Sequence, residues 1–147
     1  MNPATSKLTG DKSRTKIIRT LLVDDSPFML KVFAKILAKE DNFTVVAATT
    51  NGRQAIQYAM VLEPDLILMD FDLPHLNGAQ ATRCIKQLVN PPIVFMVTSD
   101  DGSSSQTMSI AAGADALIVK SGILRAQLKS KLREWFGTTA NPRRQSG

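Results

Sequence analysis

Short apolar runs recur along this chain at 18–23, 44–48, 66–69, 93–97 and 116–119, and the stretches between them carry apolar residues at helical spacing. Short apolar runs bounded by turn residues read as strands buried on both faces, and the periodic stretches as the helices that cover them. Ser26-Pro27 opens the first helix: serine caps it, and proline stands in the first turn, where a missing N–H costs nothing. Leu30, Phe33, Ile36 and Leu37 then form its apolar stripe. Asn51-Gly52 turns into a helix over 53–62 that Pro64 ends, and Asn77-Gly78 opens another that runs to about 89, before Pro91-Pro92. A polar loop at 100–105 leads into a short helix with Gly113 as its C-cap, and Leu124, Leu128, Leu132 and Trp135 stripe the last helix. Strand and helix alternate throughout, which predicts an α/β domain built from βαβ units.

Polar residues stand at or just past the ends of these strands. Asp24 and Asp25 follow the first, Asp70 the third, Thr98 the fourth and Lys120 the fifth. In an open α/β sheet the crevice beyond the carboxyl ends of the strands is where ligands bind. The fold therefore brings residues far apart in sequence to one rim. Three carboxylates, a hydroxyl and an ammonium there describe a site for a divalent cation and a phosphoryl group. Clustered carboxylates disfavour one another's ionisation, so the arrangement itself calls for a counter-charge.

These residues resemble the receiver domain of bacterial two-component response regulators. The likeness rests on Val23-Asp24-Asp25-Ser26, on Asp70-Phe71-Asp72-Leu73-Pro74-His75-Leu76-Asn77-Gly78, on Thr98-Ser99, and on Ala112-Gly113-Ala114-Asp115 leading into Val119-Lys120, and it covers 17–136. It implies a doubly wound, five-stranded parallel sheet of flavodoxin-like order 2-1-3-4-5. The right-handed crossover rule then places the first and last helices on one face and the other three on the opposite face. The resemblance further implies that Asp70 is the phosphoacceptor, taking a phosphoryl group from a sensor histidine kinase or a histidine phosphotransfer protein. Mg²⁺ would be held by the Asp24–Asp25 pair, Asp70 and the backbone carbonyl of Asp72, an oxygen-only set suited to a hard cation. Lys120 and the Thr98 hydroxyl would meet the phosphoryl oxygens, assisted by the backbone N–H groups of Phe71 and Ser99. The chain would act as a stand-alone cytoplasmic regulator that docks on a downstream protein target or relays its phosphoryl group. It would be no enzyme beyond its own phosphorylation and dephosphorylation.

Three residues depart from the family pattern. Ser121 follows Lys120 where receivers usually carry proline, so a trans peptide is expected there. Leu117 replaces an aromatic switch residue, which shifts the expected output to the loop over 98–105. Ser99 replaces the usual alanine or glycine and crowds the approach of water.

Composition adds limits. At 147 residues the chain is one domain with room for a core. Its formal charge of +5 divides as +3 in 1–16 (Lys7, Lys12, Arg14 and Lys16 against Asp11) and +2 in 137–147 (Arg143 and Arg144), leaving 17–136 neutral. That confines the excess to two polar tails, read as disordered, and disfavours a nucleic-acid surface on the domain. No DNA-binding segment is expected after 136, and no apolar run approaches membrane length. Cys84 is the only cysteine, which fits a reducing compartment and reads as a small side chain packed within a helix. His75 reads as solvent-facing. Two alternatives use the same residues: a receiver-like interaction module without phospho-signalling, and a haloacid dehalogenase-like phosphatase using Asp70 and Asp72. The first is disfavoured by the presence of both Asp70 and Lys120, and the second leaves Asp24-Asp25 unexplained.

Overall fold

The computed structural model describes residues 16–99 and 102–137. The two tails read as disordered, apart from Lys16 and Gly137, and the loop residues Asp100 and Asp101 lie outside them. Ten elements alternate: β1 (Ile18–Val23), α1 (Pro27–Ala38), β2 (Phe43–Thr49), α2 (Gly52–Leu62), β3 (Leu66–Asp70), α3 (Gly78–Ile85), β4 (Ile93–Thr98), α4 (Ser103–Ala112), β5 (Ala116–Val119) and α5 (Leu124–Phe136). The strands form one sheet in the order β2-β1-β3-β4-β5, and every pairing is parallel. This is the doubly wound order expected.

The two faces of the sheet bury separate cores. Leu22, Leu66, Leu68, Phe95 and Ile118 meet Phe33, Ile36 and Leu37 of α1 and Leu124, Leu128 and Leu132 of α5. Leu21, Val23, Ile67, Met69, Val94 and Met96 meet Ala55 and Ala59 of α2 and Ala81 and Ile85 of α3. Helix α4 packs beside α3. Alternate strand residues thus serve opposite layers, which is why the runs read as continuous rather than alternating apolar. Residue 70 pairs with Val97 and Thr98 with Val119, so the register brings three strand ends level.

Local expectations mostly hold, with three corrections; the first is that α4 begins at Ser103, inside the stretch 100–105 expected as loop, with Gly102 as its N-cap. Ser26 caps α1, its Oγ accepting from the Met29 N–H at 3.2 Å. Asn51 and Asn77 cap α2 and α3 in the same way, and Gly113 ends α4 with φ at 102°. Helix α3, however, stops at Ile85 rather than near 89. Lys86 at its C-cap sends its Nζ 2.6 Å to the Pro92 carbonyl and 2.6 Å to Asp115, and the chain leaves the helix there to reach β4. Cys84 is exposed on α3, not packed within it, because the inward face is already filled by Ala81, Thr82 and Ile85. His75 is exposed, as expected, with a left-handed φ of 67°. No cis peptide occurs among the described residues, so Lys120-Ser121 is trans. No described helix is long and apolar enough to cross a membrane.

Candidate functional site

The carboxyl ends of β1, β3, β4 and β5 define the site. Asp24 continues β1 through its N–H, which donates to the Thr49 carbonyl at 3.1 Å, and its side chain is fully buried. Its Oδ1 accepts the Ser26 N–H at 2.9 Å, so the residue that starts α1 also fixes this carboxylate. Asp25 is exposed. The sequence left the pair equivalent; the fold turns one inward and one outward. Asp70 ends β3 with 1% exposure, and its Oδ1 accepts the Asp72 N–H at 3.1 Å. Oxygen atoms of Asp24, Asp25 and Asp70 all lie within 4.8 Å of one another.

Lys120 closes the cluster. Its backbone N–H donates to the Thr98 carbonyl at 2.8 Å, an extension of the β4–β5 ladder. Its Nζ stands 2.9 Å from Asp24 Oδ2 and 3.6 Å from Asp70 Oδ1. Thr98 is buried at the end of β4. Ser99 is exposed, and its Oγ donates to Asp72 Oδ2 at 3.3 Å across the mouth of the site. Asp24, Asp25, Asp70 and Lys120 are thus gathered directly, with Asp72, Thr98 and Ser99 one step out. Phe71 is committed elsewhere: its N–H donates to the Val97 carbonyl at 2.8 Å, because the β3–β4 ladder runs one residue past Asp70. The Asp72–Ser99 bond is a contact that sequence reasoning missed. The signal for it was the pair of polar residues immediately after two neighbouring strand ends.

Electrostatics follow from burial. Desolvation, and then the charge of Asp24, push the Asp70 carboxyl up from 3.8 to about 7, against the pull of Lys120 and the backbone N–H groups of Asp72 and Asp25. Burial works against the Lys120 charge as well, but Asp24 and Asp70 outweigh it and hold the ammonium above its ordinary value. Asp70 Oδ2 is buried with no hydrogen-bond partner among the described residues. An orphaned carboxylate oxygen beside two further carboxylates and one ammonium is an all-oxygen donor set short of positive charge, which fits a hard divalent cation. A separate groove of about 540 Å³, lined by Met60, Leu88, Val89 and Pro92 among others, lies at the opposite end of the sheet and shares none of these residues.

Comparison with known proteins agrees with this geometry. The family model of the response regulator receiver domain matches residues 20–133, and the chain belongs to that family. A protein-glutamate methylesterase/protein-glutamine glutaminase of Methanospirillum hungatei is 40% identical over 103 residues, which cover 70% of this chain and 29% of the relative. One from Pseudomonas syringae pv. syringae is 36% identical over 98 residues, 66% of this chain and 25% of the relative. The chain therefore spans about a quarter of the length of the curated relatives it matches. The response regulator domain of Thermotoga maritima CheB superposes with a TM-score of 0.74 at 32% identity, covering 81% of this chain and 96% of that domain. The likeness is thus to the receiver portion. Membership in this family also replaces the phosphatase alternative.

Proposed function

We propose that this chain is a two-component signalling receiver that takes a phosphoryl group on Asp70 from a phosphohistidine of a sensor kinase or phosphotransfer protein. The observation that carries this reading is the Lys120 ammonium set 2.9 Å from Asp24 and 3.6 Å from Asp70, beside a three-carboxylate cluster at the strand ends. Asp24, Asp25, Asp70 and the Asp72 carbonyl are the residues that would hold Mg²⁺. When bound, that ion supplies charge neutralisation for the cluster and the incoming phosphoryl group.

The chain's own residues do the rest. An Asp70 carboxylate oxygen attacks phosphorus, the N–P bond to the donor imidazole breaks, and the imidazole leaves with that electron pair. Phosphoryl transfer asks the protein for positioning and charge, not for covalent assistance elsewhere. Strand β3 and the Asp72 N–H fix the nucleophile, while Lys120 faces the negative charge brought in. The Thr98 hydroxyl and the Ser99 N–H, at the end of the neighbouring strand, would meet the remaining oxygens. Phosphate held there would draw on β4 and the loop after it, coupling the site to a downstream protein target. An interaction module indifferent to phosphate would have no need of this charge cluster. Phosphoramidate with Mg²⁺ should give one covalent adduct by intact mass, and EDTA should abolish it. Several adducts, or one indifferent to EDTA, would overturn the reading.

A further inference from the structure

The loop between β3 and α3 is held between two glycines. At Gly52, the first residue of α2, an added Cβ would sit 2.7 Å from the Leu76 carbonyl oxygen. At Gly78, the first residue of α3, it would sit 2.2 Å from the Asp70 carbonyl oxygen, 2.8 Å from Phe71 Cα and 2.9 Å from the Asp70 carbonyl carbon. These are backbone atoms and cannot rotate aside. Gly78 is not among the residues of positive φ, so glycine is required here for space rather than for backbone conformation. The Gly78 N–H also donates to the Phe71 carbonyl at 2.9 Å.

Two further sets of bonds fix this contact. The Gln80 N–H donates to Asn77 Oδ1 at 2.8 Å and the Asn77 N–H to Gln80 Oε1 at 2.9 Å, a reciprocal capping box that locks the first turn of α3. On the sheet side, the Phe71 N–H is held by the Val97 carbonyl at 2.8 Å. The Asp70–Phe71 peptide is therefore gripped by β4 on one side and by α3 on the other.

The structure assigns to Gly78 the role of a positioning residue: seated by the Asn77–Gln80 box, it clasps the Asp70–Phe71 peptide and so aims the Asp70 carboxylate. The inference rests on Asp70 being the reacting carboxylate. Gly52 supplies an internal comparison, since it makes the same kind of close approach to the same loop but touches Leu76 instead of Asp70.

The test compares wild type with Gly78→Ala, Gln80→Ala and Gly52→Ala. It measures the phosphoramidate reaction rate per folded molecule at saturating Mg²⁺, together with the NMR carbonyl resonance of Asp70 without donor. Gly78→Ala should lower the rate about tenfold or more and Gln80→Ala about threefold, because small displacements of a reacting group are costly. Gly52→Ala should lose stability yet hold its rate. The Asp70 resonance should move in the same order. A Gly52→Ala rate as low as that of Gly78→Ala, or an unmoved Asp70 resonance in Gly78→Ala, would overturn the assignment. Should Gly78→Ala not fold, Gln80→Ala decides, since Gln80 is exposed and its loss leaves the core intact. A wild type that takes no phosphoryl group would sink the phosphoacceptor reading, and the Asp70 resonance would still judge the clasp.

Discussion

At the scale of single residues, the site is a balance between burial and charge. Asp70 carries the clearest consequence. Its carboxyl is pushed up to about 7, well above the ordinary 3.8, so ionising it in the fold is unfavourable. The sign follows by linkage: this group favours the folded state below about pH 4, and the advantage is lost as pH rises through about 7. In EDTA at pH 8, Asp70→Asn should therefore be more stable than wild type, by on the order of 4 kcal/mol, and near pH 4 the two should converge. Thermal melts at both pH values check this. A variant less stable than wild type at pH 8 would show that the buried carboxylate is not a burden. The Asp72–Ser99 bond leads to a second expectation. Ser99→Ala removes a strut across the mouth, and acyl-phosphate hydrolysis should quicken about threefold, the scale of one exposed hydrogen bond. Slower hydrolysis in that variant would count against the strut.

Residues also differ in how far sequence made them visible. Asp24, Asp70, Thr98 and Lys120 were legible because each directly follows an apolar run, and the topology then determines where they meet. The inequality of Asp24 and Asp25 was not. Which carboxylate turns inward depends on the Ser26 N–H and on Lys120, a partner from another strand. The engagement of Phe71 by Val97 was hidden for the same reason, since it depends on the inter-strand register.

At the scale of elements, capping residues marked the starts of α1, α2 and α3, whereas α4 begins earlier than its polar sequence indicated and α3 ends sooner. Prolines at 91 and 92 marked the limit of α3, but its ladder already gives way to i→i−3 bonds at Gln87 and Leu88, next to the Lys86–Asp115 pair. Asp115 also accepts the Val94 N–H at 2.9 Å, so this pair ties α3, β4 and β5 together at the end of the sheet away from the site. Its side chains are 18% and 23% exposed, so breaking it leaves groups only partly rehydrated. Lys86→Met should cost about 1–3 kcal/mol in denaturant unfolding while the phosphorylation rate of the folded protein stays unchanged. Equal loss of both would place Lys86 in the functional machinery. Helix α4 starts differently from α1, α2 and α3: Gly102 stands at its N-cap, with no side-chain cap bond. Glycine leaves the backbone of this start freer to turn, and the segment follows directly on the strand that ends in Thr98. Beryllofluoride should therefore shift the amides of residues 102–108 more than that of half-buried Leu117. A larger change centred on Leu117 would reverse this ordering.

At the scale of the whole molecule, chemistry and packing are separated along the strand direction. Both cores were readable from sequence because a parallel sheet covered on two faces requires uninterrupted apolar strands. The carboxyl rim then collects the charged residues that could not be buried unpaired, and the opposite end holds the structural Lys86–Asp115 pair. Apart from Lys16, the charged residues of the tails lie outside the described residues. The central claim is that the rim exists to put one phosphoryl group on one carboxylate. Wild type and Asp70→Asn, treated alike with phosphoramidate and Mg²⁺, test it by intact mass and peptide mapping. The wild type should carry a single phosphoryl group on the peptide containing Asp70, and the near-isosteric Asn variant, folded, should carry none. An undiminished adduct in the Asn variant would contradict the claim.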